Sequence, residues 1–580
     1  MRSRIYWAIL FLLLVSCVSA NDQYVMGVAP TTTEPEWFKT RPQSFQGYTA
    51  TGAAPFLAQT NPAPFGNPAT YTANHPLETS QPIRGGKDRN IFHHMGILRY
   101  IHPCLTSNMQ LHSLIVPTIP ERMDSVWTNS HAPKARTSRK CICCTDTAHA
   151  IPTRTKVMIL PIGSRAITNA TAHGAVFKDE LSFIHDWTYS LGADMLTTRG
   201  REDLLESGIL NFYNYGHLYT PGTKIVARTT TQDRMLKSAE NFLAGFFHLD
   251  WDEHVNLLAM IEEKNFNSSL QAKNACPNAM KISFDDYVSD TVTKWKTHYL
   301  SHRTHHLNYL STDYHWTSND SFNAQTLCAY ETVALGYSPW CSLFTFPEWE
   351  GFSYTYDLTF GGNAGFQCPI SRAMGITWVQ EFLARVENRS FSTPGSSSAA
   401  NLTLNTNPVT FPTNQSLYFD FAHDKILLGV LTAFGLRQFA DLPFPDYTDQ
   451  YFMDVFPPRH HAFQTAKLIP FAGRLNIEII RAPHKINPRR SHHDRHQDTY
   501  MKHTAETEYV HFLLNQRTVP LHKSLPECSF RSDGWCELDA FLRAQKDSLR
   551  KAEYDFSCVG EWDLGEFGDV WDGVPVLRGE

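Results

Sequence analysis

The segment that most constrains the fold of this chain is a short apolar run that ends in a polar pair and continues directly as a helix. Tyr418 to Phe421 has the length and composition of a buried strand, and Ile426 to Leu436 has the apolar content of the following helix. Between the two lie His423 and Asp424. Open α/β sheets bind ligands at the carboxyl ends of such strands, so in an α/β fold, with which the pattern is compatible, His423 and Asp424 would lie at a ligand site. A purely structural His–Asp pair is the alternative, and the surrounding sequence decides between them.

The amino terminus has the three parts of a secretory signal. Arg2 and Arg4 are basic, Ile5 to Val15 is apolar, and Val18 to Ala20 has the small residues of a cleavage site, so residues 1–20 are predicted to be removed. The apolar run is short for a membrane helix and no later stretch qualifies, so we expect a secreted protein, extracellular or in the cell wall. Six Asn-x-Ser/Thr sequons agree with export and are candidate glycosylation sites: Asn169, Asn267, Asn319, Asn388, Asn401 and Asn414.

The composition excludes some classes of function. A net charge of −6 over 580 residues argues against a nucleic-acid-binding protein, which usually carries a basic patch. Residues 21–88 are rich in Pro, Thr and Ala and are interpreted as an extended arm. His492, His493 and His496 lack the spacing of a structural zinc site and are interpreted as part of a solvated loop. The sequence therefore predicts no metal and no cofactor.

The cysteines after the predicted signal are interpreted as disulfide candidates, because exported proteins meet oxidising conditions. Cys528 and Cys536 flank a Gly-Trp turn and could pair locally, as could Cys328 and Cys341. Cys276 and Cys558 are candidates for a long-range bridge that ties down the carboxyl-terminal tail. Connectivity cannot be derived from spacing alone, so these pairings stay open at this point.

Six segments form a series of spaced motifs along the chain. They are Leu196–Arg201 (LTTRGR), Ile225–Met235 (IVARTTTQDRM), Cys328–Thr332 (CAYET), Cys341–Gly351 (CSLFTFPEWEG), Phe421–Asp424 (FAHD) and Glu527–Leu538 (ECSFRSDGWCEL). In this order they resemble the motifs of the histidine acid phosphatases, in particular their fungal phytase-like branch. The similarity extends from about Ala50 to near the carboxyl terminus.

The resemblance implies a phosphoglycerate mutase-like fold, with a mixed sheet flanked by helices in a domain over residues 89–580. A smaller, mostly helical part is expected within about 181–366. It also implies hydrolysis of phosphate monoesters through a phosphohistidine, with Arg228 as a phosphate clamp, His423 as a second phosphate contact and Asp424 as the proton donor. Neither a nucleic acid nor a membrane is an expected partner, and the oligomeric state stays open.

One motif of that family is absent. Its nucleophilic histidine stands in Arg-His-Gly-x-Arg-x-Pro, on the loop after the first core strand, and this chain contains no such string. Pro161–Ile167 (PIGSRAI) keeps the glycine and one arginine but has isoleucine where the family has histidine. Isoleucine can neither attack phosphorus nor carry a proton. As written, the chain is therefore expected to be inactive.

A shifted reading frame accounts for the loss. One allowed codon choice for Lys140–Pro152 (KCICCTDTAHAIP), read two bases later, encodes MHMLHRHGSRYP, which contains the missing motif. We therefore interpret residues 97–164 as out of frame or aberrant and predict an irregular segment there. A central strand at Thr155–Leu160 (TKVMIL) would instead favour PIGSRAI as a true relic.

Three functions follow as hypotheses. The first is a secreted acid phosphatase acting on phytate or on phosphomonoesters generally. The second is a non-catalytic secreted glycoprotein that keeps the phosphate pocket and binds phosphorylated ligands. The third is a structural cell-wall glycoprotein that uses the Pro/Thr-rich arm.

Overall fold

A computed structural model describes residues 95, 137–145, 167–191, 196–284, 287–392, 398–443, 457, 461–489 and 500–576. The predicted signal and arm lie outside these residues, as do PIGSRAI except for Ile167, the segment Thr155–Leu160 and the cluster of His492, His493 and His496.

Within the described residues, eight strands form one mixed sheet and two more form a small ribbon. The sheet order is β10-β8-β7-β1-β6-β3-β4, with β9 beside β8, while β2 pairs with β5. The strands β1, β6, β3 and β4 run parallel, and β7, β8, β9 and β10 pair antiparallel. The strands are β1 (Thr137–Thr145), β2 (Val176–Phe177), β3 (Ile225–Thr230), β4 (Val255–Met260), β5 (Ser311–Thr312), β6 (Leu417–Phe421), β7 (Arg474–Ala482), β8 (Thr507–Leu514), β9 (Arg517–Thr518) and β10 (Cys536–Glu537).

Helices cover both faces of the sheet and fill the chain between β4 and β6. None of the described helices is long and apolar enough to cross a membrane. The helices are α1 (Thr198–Tyr215), α2 (Asp233–Phe247), α3 (Trp251–His254), α4 (Pro277–Phe284), α5 (Ser289–Tyr299), α6 (Ser301–Tyr309), α7 (Ser318–Leu335), α8 (Phe346–Ala364), α9 (Ser371–Glu387), α10 (Leu402–Asn405), α11 (Asp424–Ala433), α12 (Thr465–Leu468), α13 (Leu538–Gln545), α14 (Ser548–Ala552) and α15 (Tyr554–Val559).

The side chains of β6 divide the core into two layers, because successive residues of a strand point to opposite faces. Phe419 and Phe421 pack with Phe242 of α2 in one apolar cluster, which also takes in α1. Tyr418 belongs to the larger cluster on the other face, together with α9 and α11. The predicted mixed sheet flanked by helices is confirmed.

The helix that follows β6 is held in place by two glycines. A Cβ at Gly375 of α9 would lie 2.0 Å from the carbonyl oxygen of Gly429 in α11. No side chain fits between the two backbones, so α9 and α11 cross in direct contact. This crossing fixes α11, and with it the residues at the start of α11, against the sheet.

The segment predicted to be irregular contains the strand β1. Thr137–Thr145 lies between β6 and β7 in the sheet and pairs with both. The prediction is therefore wrong for these nine residues. The physical reason is that ladder hydrogen bonds use only the backbone, and the alternate side chains of Cys141 and Ile142 are apolar enough to be buried on either face. The rest of the 97–164 segment lies outside the described residues.

Among the described residues three disulfides are formed, and all three match the candidate pairs. Cys276 is bonded to Cys558 across 282 residues, and the local pairs are Cys328–Cys341 and Cys528–Cys536. The first bridge attaches the start of α4 to α15 near the carboxyl terminus.

The sequon asparagines lie at the surface with one exception. Five of the six are exposed, whereas Asn401 is half-buried and its side chain accepts a hydrogen bond from the Leu404 amide at the start of α10. Glycosylation itself stays a prediction.

Candidate active site

Four parallel strands end at one edge of the sheet, and the predicted site residues follow directly after β6. Thr145 of β1 lies beside Phe421 of β6, and Thr230 of β3 lies beside Met260 of β4. The pair Arg228 and Asp420 joins β3 to β6. The carboxyl ends of all four strands therefore meet where the chain continues into His423 and Asp424.

His423 is fixed by a carboxylate that sequence reasoning missed. Its Nε2 lies 2.6 Å from Oε1 of Glu262, and the two side chains are 12% and 4% exposed. Burial by itself raises the pKa of Glu262, but the charge and hydrogen bonds of its neighbours, His423 foremost, lower it to about 2. Glu262 is thus a carboxylate that holds the imidazole in one orientation, as carboxylates do for histidines at other sites.

Glu262 is positioned by its own neighbours. Its backbone amide donates to Oγ1 of Thr231 at 3.0 Å, and Gln271 Nε2 donates to its Oε2 at 3.2 Å. The signal that could have identified it is its position two residues after β4, at the same edge as His423. Using that signal requires knowing that β4 is parallel to β3, which the sequence does not state.

Asp424 is the first residue of α11 and is half-buried. Its Oδ1 accepts a hydrogen bond from the Lys425 amide at 2.6 Å. Among the described residues, no donor contacts the other carboxylate oxygen. Asp424 therefore has one oxygen tied to the helix start and one that can exchange a proton with a bound group.

Arg228 lies in the sheet interior instead of at the edge. Its Nε and Nη2 donate to the two oxygens of Asp420 at 2.7 Å, and Nη2 also donates to Glu381 at 2.7 Å. The side chain is 2% exposed. A substrate phosphate that binds Arg228 would compete with Asp420, and the role of Arg228 as a phosphate clamp stays a prediction.

We call Arg228, Glu381, Arg385 and Asp420 the interior cluster, because all four are buried and paired. Arg385 Nη1 donates to Asp420 at 2.6 Å, and Trp378 Nε1 donates to the same carboxylate at 2.8 Å. Burial by itself raises the pKa of Asp420, but the two arginines outweigh burial and hold it well below its usual value. The cluster joins β3, β6 and α9.

Arg234 belongs to the same motif as Arg228 and lies closer along the chain to the end of β3. It is the second residue of α2, the helix that follows β3, and it is half-buried. An arginine in that turn after a parallel strand is the signal that could have singled it out from the motif.

The position of the absent nucleophile can be located along the chain. In the shifted frame, the Arg-His-Gly string begins at the codons of Thr145 and Asp146, so it directly follows β1. Thr145 is the last residue of β1 and pairs with Phe421, two residues before His423. Asp146 to Ala166 lie outside the described residues.

Within the described chain, no group of three or more His, Cys, Asp or Glu residues could hold a metal ion.

Comparison with known proteins gives a family match that covers most of this region. The family model of the histidine phosphatase superfamily (branch 2) matches residues 133–515. The match includes all of β1 to β8, and therefore all four strand ends that form the edge.

The chain is similar to fungal phytases and to an acid phosphatase. It is 26% identical over 415 residues to Phytase A of Aspergillus oryzae, covering 68% of this chain and 78% of that protein. Phytase A of Arthroderma benhamiae is 28% identical, covering 65% and 77%. An acid phosphatase of Schizosaccharomyces pombe is 27% identical, covering 64% and 71%.

Among solved structures, the fold is similar to the phytase from D. castellii. The superposition has a TM-score of 0.57 at 18% sequence identity and covers 82% of this chain and 89% of that one. At this identity the likeness supports the fold alone.

Proposed function

The chain belongs to the histidine phosphatase superfamily (branch 2), and from that premise we propose that it is a secreted, phytase-like acid phosphomonoesterase. Hydrolysis would proceed through a phosphohistidine, but the chain as written lacks the histidine that forms it and is expected to be inactive. The observation that carries the proposal is that His423, held by Glu262, and Asp424 lie together at the strand ends, beside the end of β1.

Each residue of the edge has a role that its geometry supports. His423 presents an imidazole, oriented by Glu262, as a hydrogen-bond donor to a phosphate oxygen. Asp424 gives its proton to the departing alkoxide, a step worth roughly 10²–10⁴-fold in rate. Arg228 keeps its predicted role with the non-bridging oxygens, and we add Arg234 of the same motif, because it lies in the first turn after β3.

The shifted reading frame supplies the missing nucleophile in a suitable place. Its Arg-His-Gly string falls directly after β1, so the histidine would stand at the same edge as His423. A nucleophile there lies on the first core strand's loop, as in the family whose motifs the chain resembles. The position of β1 supports the frame-shift interpretation over Pro161–Ile167 as a relic.

Substrate class and localisation rest on the relatives and on the cysteines. The chain is similar to proteins named phytase and acid phosphatase, so we propose phosphate monoesters, including phytate, as its substrates. The three disulfides support passage through an oxidising compartment, and with the predicted signal they support secretion.

A non-catalytic function is the second candidate, and β1 is the observation that favours it. As written, Thr137–Thr145 completes the sheet without the motif. Such a protein would keep Arg234 and His423 and could bind phosphorylated ligands without cleaving them.

The test begins with peptide mass spectrometry of the naturally secreted protein over residues 90–178. A peptide containing HRHGSRYP supports the phosphatase, whereas CICCTDTAHAIPTR supports the non-catalytic alternative. In parallel, the chain as written and a version with MHMLHRHGSRYP in place of the segment from Lys140 to Pro152 are assayed with p-nitrophenyl phosphate and phytate at acidic pH.

We expect turnover only in the restored version. Asp424→Asn in that version should lower kcat by roughly 10²–10⁴-fold, with a smaller change in KM. Turnover by the chain as written, or none by a folded restored version, would contradict the proposal.

A further inference from the structure

Helix α1 is attached to the rest of the protein largely by polar side chains and by its backbone. Three of its residues, spaced one helical turn apart, form side-chain hydrogen bonds with alternate residues of β7. The pairs are Ser207–Arg474 at 2.9 Å, Asn211–Asn476 at 2.7 Å and Tyr215–Glu478 at 2.7 Å. A Cβ at Gly245 of α2 would lie 2.1 Å from the carbonyl oxygen of Leu205, so α2 meets the α1 backbone directly. Of the α1 residues, which are all described, Leu204 and Tyr215 are the two that belong to the adjoining apolar cluster.

The outer face of α1 is apolar, which is the reverse of the usual arrangement. A helix at the surface of a soluble protein normally buries its apolar stripe and exposes polar side chains. Five large apolar side chains of α1 are instead more than a third exposed, and we call them the α1 patch: Leu205, Ile209, Leu210, Phe212 and Tyr213. Because the inner contacts already hold α1 in place, the helix does not need these side chains for its own attachment.

The α1 patch is large enough to indicate an interaction site. Tyr213 is 80% exposed and Phe212 is 43% exposed. Since an aromatic side chain of this kind can bury about 150–250 Å², these two residues alone offer roughly 200–300 Å². The three aliphatic side chains bring the patch into the range of about 300–600 Å² in which exposed apolar surface often has a function.

The part of the chain that contains α1 is also free of sequons. The six sequons leave residues 170–266 empty, and both α1 and α2 lie in this stretch. A glycan is bulky and would keep another protein away from the surface that carries it. On a protein with sequons both before and after this stretch, their absence here favours a protein partner for the α1 patch.

We propose that the α1 patch is the interface of a homodimer, in which α1 of one copy packs antiparallel on α1 of a second copy about a two-fold axis near Ile209. Such an axis places Ile209 against its own counterpart and the smaller Leu205 against the larger Tyr213 of the other copy. Symmetric pairs of this kind are the commonest assemblies of identical chains. The inference does not depend on the proposed function, because it uses no residue of the edge.

The charges at the ends of the patch favour the antiparallel direction. Glu202 and Glu206 are exposed on the same face of α1, in its amino-terminal half, and His217 is exposed in the turn directly after α1. An antiparallel pair places Glu202 opposite the turn that contains His217 of the other copy. A parallel pair would instead place each glutamate beside its own counterpart, and like charges at that distance repel.

The experiment is sedimentation velocity of the chain as written, without its predicted signal, at roughly 0.1–100 μM, where interfaces of modest area associate. Ile209→Glu and Tyr213→Glu each place a charge in the α1 patch. Tyr309→Glu is the matched control, because Tyr309 is also 80% exposed and lies at the end of α6, outside the patch.

We expect the apparent mass to rise from one copy to two as the concentration increases. Each patch variant should raise the Kd of the dimer by about tenfold or more, since burying a charge in an apolar contact is unfavourable. Tyr309→Glu should leave this Kd within about twofold. Thermal unfolding of the monomer should be nearly the same in all three variants, because the substituted side chains are exposed.

A charge exchange tests the direction of the helices. Glu202→Lys removes the attraction to His217, and His217→Glu places two carboxylates together, so each change should weaken the dimer by roughly threefold to tenfold. The double variant should restore the natural Kd, because it again places opposite charges against each other. Additive losses in the double variant overturn the antiparallel arrangement.

Three other outcomes overturn the dimer itself. One is a single copy at every concentration, and another is a dimer that Tyr213→Glu leaves intact. The third is a single copy that binds phosphatidylcholine vesicles and loses this binding in Tyr213→Glu, which would assign the α1 patch to a lipid surface.

Discussion

The interior cluster and the edge of the sheet lie only a few residues apart on the same strands, yet they differ in whether their charged side chains have partners. In the interior cluster, every carboxylate contacts an arginine, and Asp420 accepts hydrogen bonds from Arg228, Arg385 and Trp378. Among the described residues near the edge, Asp424 keeps one carboxylate oxygen without a donor, and neither Lys273 nor Lys425 forms an ion pair.

The difference teaches where to look for function. A fully paired and buried ionic group has no capacity left for a ligand, however well its residue type suits one. Charges that are left unpaired reduce stability and persist where a ligand can complete them. Arg228 is a phosphate-binding residue type whose guanidinium pairs with Asp420 and Glu381 inside the sheet, and Arg234 is the same type in the first turn of α2, directly after β3.

The largest expected effect comes from breaking the interior cluster. Asp420→Asn removes the carboxylate that Arg385 contacts and leaves Arg228 with Glu381 alone, so we expect the free energy of unfolding to fall by about 3–5 kcal/mol. Urea denaturation at neutral pH measures it. The control is Glu508→Gln, which removes the exposed ion pair with Arg481 and should cost less than about 1 kcal/mol. Equal losses in the two variants would remove the distinction between interior and surface charges.

Glu331 extends the comparison between paired and unpaired charges, because among the described residues this buried carboxylate has no arginine partner. Among the described residues its partners are Trp187 and Ser338, and burial raises its pKa to about 7 from a usual value of 4.5. Because this pKa is raised, the contribution of Glu331 to stability is fully present below pH 4.5 and is lost as the pH rises through 7. Relative to Glu331→Gln, we expect the natural protein to lose about 3 kcal/mol between pH 4.5 and 8. Unfolding curves across that range test it, and parallel pH profiles would contradict it.

Glu262 should show the opposite pH dependence. Its pKa is lowered to about 2 from a usual value of 4.5, so its contribution is present above pH 4.5 and is lost as the pH falls towards 2. We expect Glu262→Gln to remove about 2 kcal/mol at pH 6 and to flatten the profile between pH 4.5 and 2. Denaturant unfolding measures this. An unchanged acid limb in the variant would mean that the contact with His423 contributes nothing to stability.

The smallest expected effect has the opposite sign. Lys273→Met removes a half-buried charge whose pKa is lowered by burial and then by the charge of Lys425, so the variant should be more stable by a few tenths of a kcal/mol. Thermal unfolding at low salt measures it, with Lys224→Gln, at an exposed lysine directly before β3, as the control. A clear loss of stability would indicate that the Lys273 side chain makes a stabilising contact in the folded protein.

Much of the site could be predicted from the sequence because its signals are local. The order apolar strand, His-Asp, helix placed His423 and Asp424 at a strand end, and the structure has the strand Leu417–Phe421 and the helix from Asp424. The cysteine pairs were also within reach, since export restricts what cysteines do. The long-range pair depends on the tertiary structure, which places Cys276, directly before α4, next to Cys558 in α15.

Residues 137–145 show that a local pattern can also fail to predict a strand that the structure contains. Its sequence has no clear period, which favoured an irregular structure. The strand forms because β6 and β7 offer unpaired backbone groups on both sides. Pairing of this kind is decided by neighbours that the segment itself does not encode.

The sequence by itself determined the family, the fold class and the identity of His423 and Asp424, because motifs and periodicity are carried by residues close together in the chain. Only the tertiary structure decided which charges are paired. Glu262 meets His423 across 161 residues, and Asp420 meets Arg228 across 192. A charged residue becomes structural or functional according to which partners the sheet brings within hydrogen-bonding distance, and those partners are set by strand order, which no local pattern specifies.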